Sequence, residues 1–97
     1  MLRVGPVEID TAGHIVRVGD QDIALTLTEF RLLAHMARSP TRVFARGELV
    51  DAWPGSDALD RTVDSHVSKL RRKLQQAGAP NMPEGVRGVG YRLVSRT

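Results

Sequence analysis

Four short runs, residues 2–4 (LRV), 7–10 (VEID), 14–18 (HIVRV) and 23–25 (IAL), are rich in β-branched or apolar side chains. Turn-forming stretches, Thr11-Ala12-Gly13 and Gly19-Asp20-Gln21-Asp22, separate the later ones, and this spacing predicts an antiparallel meander. The period then changes. In LTLTEFRLLAHMARSP, Thr26 stands as a helix N-cap with Glu29 three residues on as its capping-box partner, and Leu25 and Phe30 occupy the two positions of a hydrophobic staple. Phe30, Leu33, Ala34 and Ala37 form one apolar face, and Ser39-Pro40 ends the helix because proline biases its predecessor away from helical geometry.

Beyond it, Val43-Phe44 reads as a short extended link, and residues 46–53 as two helical turns that bury Leu49, Val50 and Trp53 before Pro54-Gly55. Residues 54–60 are a polar loop that closes on Asp60 as an N-cap. The next segment, RTVDSHVSKLRRKLQQAG, repeats Val63, Val67, Leu70 and Leu74 at i, i+4, i+7 and i+11, a narrow apolar stripe on a helix that Gly78 and Pro80 terminate. Residues 86–94 alternate around Gly88 and Gly90 and read as a β-hairpin.

A chain of 97 residues with this patterning accommodates one domain. It has no cysteine, which excludes a disulfide scaffold, a thiol nucleophile and Cys-based metal sites. Its apolar stretches are too short to span a membrane and its start has no secretion-signal pattern, so a cytoplasmic location is expected. Charge is unevenly placed. Residues 1–60 carry 6 basic and 9 acidic side chains, whereas residues 61–97 carry 8 basic and 2 acidic. Such asymmetry fits a scaffold with a polyanion-binding end, or else a solvated basic tail.

The third helix decides between them. With its apolar stripe set at zero, Arg61, Thr62, Ser65, Lys69, Arg72, Lys73 and Gln76 fall on the opposite side, with His66 at the edge and no carboxylate among them. A merely soluble face mixes charge signs, whereas a helix in a DNA major groove needs aligned donors for phosphates and guanine edges. Asp64 lies near Arg71 in helical phase, where the two would pair or orient each other. Two successive helices, the second basic on one face, followed by a hairpin with Arg87 at its turn, describe a winged helix-turn-helix. Gly88 and Gly90 permit a tight turn and close approach to a phosphate. Tyr91 either packs or meets a phosphate, and packing is the commoner fate of one hairpin tyrosine.

Four segments in order, LTLTEFRLLAHMARSP, RGELVDAW, DRTVDSHVSKLRRKL and VRGVGYRL, cover nearly the whole chain and resemble the DNA-binding domain of the OmpR/PhoB family of response regulators. The resemblance implies an α+β fold: an N-terminal four-stranded antiparallel sheet (residues 1–25), three helices (26–77) and a C-terminal hairpin wing (83–95). It also implies helix 61–76 in the major groove and wing 85–92 in the minor groove. Carried over by position, Arg61, Thr62, His66 and Arg71 become phosphate or groove-edge contacts, Ser65, Ser68 and Lys69 base readers, and Arg87 the wing contact. Departures are Ala45 where a Ser or Thr commonly caps the second helix, Gly85 in place of a frequent threonine, and Ser68 where a basic residue is common. The receiver domain that normally precedes this module is not part of the chain.

Other readings are weaker. His14, His35 and His66 make no ligand spacing, and the pairs Glu8 with Asp10 and Asp20 with Asp22 fall in strands or turns, so neither metal chemistry nor catalysis is expected. Single-strand RNA readers need exposed aromatic platforms, and aromatic content is 4%. The expectation is a sequence-specific, double-stranded DNA-binding regulator without enzymatic activity or cofactor, binding tandem half-sites. A contact to RNA polymerase through loop 54–60 can coexist with it.

Overall fold

The computed structural model describes the backbone of residues 1–50 and 60–94 and the side chains of residues 1–49 and 63–94. Chain reversals every three or four residues turn the N-terminal runs into a four-stranded antiparallel sheet of order β1-β2-β3-β4, with β1 Leu2–Val4, β2 Val7–Asp10, β3 Ile15–Val18 and β4 Gln21–Ile23. The register pairs Val4 with Val7 and Val18 with Gln21, leaving the two-residue connections Gly5-Pro6 and Gly19-Asp20. Val4, Val7, Ile9, Val16 and Val18 fill the inner face. On the outer face Arg3, Glu8, Arg17 and Asp22 stand opposite one another in turn across all four strands. Exposed ion pairs Arg3–Glu8 and Arg17–Asp22, both 2.9 Å, keep that face polar without adding much stability.

Two strand boundaries differ from expectation, each for a local reason. The Asp10 carboxylate accepts the amides of Ala12 and Gly13 at 3.1 and 3.0 Å, so His14 lies in the turn with φ 54° rather than in β3. Gly19-Asp20 suffices for the next turn. Consequently β4 starts at Gln21, and Leu25 is left to pack against the core just ahead of the first helix.

That helix, α1 Leu27–Ala37, has the full capping box: Glu29 N–H donates to Thr26 Oγ1 at 3.2 Å, and Thr26 N–H donates to Glu29 Oε1 at 3.0 Å. Its buried face comprises Phe30, Leu32, Leu33, Met36 and Ala37 together with the carboxylate of Glu29, while Ala34 is only half-buried. The apolar face is therefore rotated from the one read off the sequence. Val43-Phe44, expected as a mere link, leads into a strand: β5 Phe44–Ala45 pairs with the hairpin that ends the chain. Then α2 Arg46–Val50 begins, where Ala45 N–H donates to Glu48 Oε1 at 3.3 Å. Ala45 has no side-chain oxygen to return the bond, so only half of a capping box forms.

Helix α3, Asp60–Gln76, is held by its apolar stripe: Val63, Val67, Leu70 and Leu74 are all buried against α1, α2 and the core. It ends in a Schellman motif, with Ala79 N–H donating to Leu74 O at 2.8 Å and Gly78 N–H to Gln75 O at 3.1 Å. Gly78 supplies the left-handed φ of 106° that this motif requires. The hairpin follows as β6 Glu84–Val86 and β7 Gly90–Arg92, and β7 lies in the middle of a three-stranded sheet of order β5-β7-β6. The expected burial of Val50 and Trp53 and the loop over residues 54–59 lie outside the described residues, whereas Asp60, expected to cap α3, is already its first helical residue rather than its cap.

Candidate nucleic-acid interface

The burial of Val63, Val67, Leu70 and Leu74 fixes the rotation of α3, and with it everything the helix presents outward. Ser65, Ser68, Lys69, Arg72 and Gln76 are exposed on the far side, and no carboxylate interrupts them. Arg61 and Thr62 lie on the same helix, but their side chains are outside the described residues. Fold and surface chemistry are separable here, because adjacent residues serve different ends. Leu70→Ala is expected to cost about 2 to 5 kcal/mol of unfolding free energy by leaving a cavity. Lys69→Ala, on the exposed side, should leave the denaturation midpoint nearly unchanged, and equal losses in the two variants would overturn the helical phase.

Residues on the flanks of α3 are occupied by the rest of the fold. On one flank Lys73, expected to face the groove, instead places its ammonium 2.5 Å from Glu29 Oε1. Helical phase puts Lys73 at the boundary of the exposed side, and a buried carboxylate on the neighbouring helix draws it inward. His66 is half-buried. The opposite flank carries Asp64 and Arg71, which do not pair with each other. Seven residues separate them, about 10.5 Å along the axis, so a shared phase does not bring them into contact. Arg71 Nε donates to Pro83 O at 2.8 Å, tying the helix to the segment that enters β6.

Asp64 has two other partners. Its Oδ1 accepts from Arg46 Nε at 2.9 Å and from the Tyr91 hydroxyl, while the Arg46 guanidinium lies 5.4 Å from the centre of the Tyr91 ring. The start of α2, the middle of the wing sheet and α3 thus meet at one carboxylate. The tyrosine bond and the adjacent guanidinium hold Asp64 below its ordinary pKa against the opposing effect of burial. Burial, then the Asp64 carboxylate, push the Tyr91 phenol up, so it remains a proton donor at neutral pH. Tyr91 is largely buried and its hydroxyl proton is directed to Asp64, which makes it a packing residue that steadies the wing. Arg46 went unnoticed in the sequence, since nothing local links it to a residue 18 positions on.

The wing tip consists of Arg87, Gly88 and Val89, all exposed, closed by Val89 N–H donating to Val86 O at 3.0 Å. Gly88 has a φ of 78°, as the turn demands. Gly90 serves a different contact from the phosphate approach expected of it. It pairs with Ala45 across β5 and β7, and a Cβ placed there would lie 1.9 Å from Phe44 O. Close approach is real at this glycine, but its neighbour is protein backbone. Most cations elsewhere are neutralised: Arg3, Arg17, Arg42, Arg46, Lys73 and Arg92 each meet a carboxylate. Lys69, Arg72 and Arg87 have no acidic partner among the described residues.

A four-stranded platform, three helices with the third presenting a donor-rich face, and a hairpin beside it define a winged helix-turn-helix of the α+β class. Residues 20–93 match the family described as "Transcriptional regulatory protein, C terminal", and the chain belongs to that family. It is 42% identical over 97 residues to the phosphate regulon transcriptional regulatory protein PhoB of Rhizobium meliloti (strain 1021), covering 98% of this chain and 43% of that protein. With the sensory transduction protein RegX3 of Mycolicibacterium smegmatis it shares 41% identity over 96 residues, 96% of this chain and 42% of the relative. The chain thus spans less than half the length of these relatives.

Among solved structures, the DNA-binding domain of the response regulator AdeR, in complex with an intercistronic region, superposes with a TM-score of 0.91 at 49% identity, covering 97% of this chain and 99% of that one. The Klebsiella pneumoniae RstA DNA-binding domain in complex with the RstA box gives a TM-score of 0.82 at 30% identity, covering 96% and 95% of the respective chains.

Proposed function

We propose that this chain binds double-stranded DNA sequence-specifically and is the output part of a two-component response regulator, with α3 in the major groove and the β6–β7 wing in the minor groove. The observation that carries the reading is the coincidence of a donor face on α3 with three cations, Lys69, Arg72 and Arg87, that have no acidic partner among the described residues, on α3 and the wing tip. Ser65, Ser68 and Lys69 read base edges. Arg61, Thr62, His66 and Arg72 meet phosphates, Arg71 adds a groove-edge contact from its place beside Pro83, and Arg87 with Gly88 enters the minor groove. Tandem half-sites, a polymerase contact through loop 54–60 and a receiver domain in the rest of the protein complete the proposal. AdeR and RstA domains of the same fold in complex with DNA support it.

Selection of bound sequences from a random duplex pool supplies the half-site, and binding to it is then measured against salt. Four cations brought against the polyanion, Arg61 and Arg72 at phosphates and Lys69 and Arg87 in the grooves, each releasing about one counterion, imply a log–log slope of about −3.6. Arg87→Ala is expected to lower that slope by about one unit and to flatten a preference for A·T-rich flanks, because minor-groove potential depends on A·T content. Lys69→Ala should instead relax positions inside the half-site by roughly 1 to 3 kcal/mol of discrimination. A salt-insensitive complex, or no selected sequence, defeats the proposal; equal loss on all flanks defeats the minor-groove role of Arg87.

A further inference from the structure

Among the described residues, the arginines without an acidic partner are Arg31, Arg38, Arg71, Arg72 and Arg87, and of these Arg71 is tied to Pro83 O. Arg72 and Arg87 belong to the proposed DNA face. Arg31 and Arg38 lie together elsewhere, around a depression of 360 Å³ whose walls also include His14 and His35 and contain no carboxylate. Arg31 on α1 and Arg38, its C-cap in right-handed helical geometry, are seven residues apart, which places them on one face about 10.5 Å from each other.

Two features show that this face is shaped as well as charged. The turn between β2 and β3 carries His14 in the left-handed region, φ 54°, and its ring stacks on Phe30 at 4.7 Å with an 11° interplanar angle. His35 is set against Phe44 at 5.1 Å. Between the guanidiniums, Phe30 and the half-buried Ala34 form an apolar floor. The depression therefore offers two outer cations, two imidazoles on aromatic supports and a small apolar centre.

The depression is turned away from the side of α1 that meets α3. Glu29 points from α1 to Lys73 on α3, and Arg31 and Arg38 stand on roughly the opposite side of the α1 cylinder. We propose that the outer face of α1 docks an acidic helical segment of a protein partner, with carboxylates seven residues apart on Arg31 and Arg38 and a small apolar side chain between them on Ala34 and Phe30. Guanidinium forks favour carboxylates in paired geometry, and a helix lying along α1 repeats the same two-turn spacing. The proposal is independent of which sequence α3 reads.

The test is a titration of the isotope-labelled chain with a synthetic alanine-based helix bearing glutamates seven residues apart, alongside its glutamine twin. The glutamate peptide is expected to shift the amide resonances of residues 31–38 and of His14, with the glutamine twin binding at least tenfold more weakly. Arg31→Glu combined with Arg38→Glu should abolish the shifts yet leave the melting temperature and duplex affinity within experimental spread, since both side chains are exposed. Arg72→Glu should do the reverse, weakening duplex binding and sparing the peptide. Shifts confined to α3 and the wing, absence of binding, or equal binding of the twin would each overturn the proposal. A tenfold loss of duplex affinity in the double variant would identify the face as a second DNA contact instead.

Discussion

Gly90→Ala is expected to detach the wing from the body and lower stability by roughly 3 kcal/mol or more, beyond the usual cost of adding one methyl to a packed site. The cause is steric rather than conformational. Gly90 is not among the glycines with positive φ, so alanine tolerates the backbone itself. Its Cβ, however, would lie 1.9 Å from Phe44 O and 2.9 Å from Phe44 C, and both atoms are main chain, with no side-chain rotation to relieve them. Relief requires β5 and β7 to separate, which breaks the Phe44 to Tyr91 and Ala45 to Gly90 pairings and pulls Tyr91 from Asp64. Two controls isolate the contact. Gly85→Ala puts its Cβ at an ordinary 3.8 Å from Tyr91 and should be close to neutral. Gly88→Ala meets no atom but must hold φ 78°, which costs about 1 to 2 kcal/mol. Denaturant midpoints ranked Gly90 far below Gly88 below Gly85 are the expected result, and a Gly90→Ala protein as stable as Gly85→Ala would remove the argument.

A close approach of two main chains, such as Gly90 to Phe44, leaves no local pattern in the sequence. Periodicity in TVDSHVSKLRRKL located the buried stripe of α3 residue for residue, because a helix repeats its own geometry and burial follows phase. The α1 capping box was equally legible, since its two bonds span only three residues. Strand β5 was not. Two residues carry no period, and Phe44-Ala45 becomes a strand only because β7, more than forty residues later, offers it an edge. The exposed donor face of α3 was legible among the described residues, except that Lys73 turns away from it. Lys73 has the right charge and nearly the right phase, yet its partner Glu29 is 44 positions away and also serves the cap of its own helix. Glu29 in fact fills both roles, and neither pattern alone announces the other. Asp64 shows the same limit, with partners 18 and 27 positions off in Arg46 and Tyr91.

The double role of Glu29 makes a sharp pH prediction. Its side chain is 1% exposed, and burial alone pushes the carboxyl up. The Lys73 ammonium, the Thr26 amide and the Thr26 hydroxyl environment outweigh that penalty and hold it below its ordinary value of 4.5. A carboxyl whose folded pKa is depressed binds fewer protons in the folded state, so its contribution to stability is complete above the ordinary value and is lost as pH falls through the lowered one. Glu29→Ala removes that contribution and half of the α1 cap. With Lys73 about one-third exposed and able to turn to water, the cost at neutral pH should be about 2 to 3 kcal/mol rather than the full penalty of a broken buried pair. Lys73→Met gives the more discriminating result. It keeps the aliphatic stem but leaves Glu29 buried without its counter-ion, so desolvation raises the carboxyl and the variant loses stability as pH rises through that raised value. The stability gap between parent and Lys73→Met should therefore be widest near neutral pH and close as the solution is acidified below pH 4.5. Urea midpoints measured across that range decide the matter: a gap that stays constant with pH would mean that Lys73 contributes packing alone.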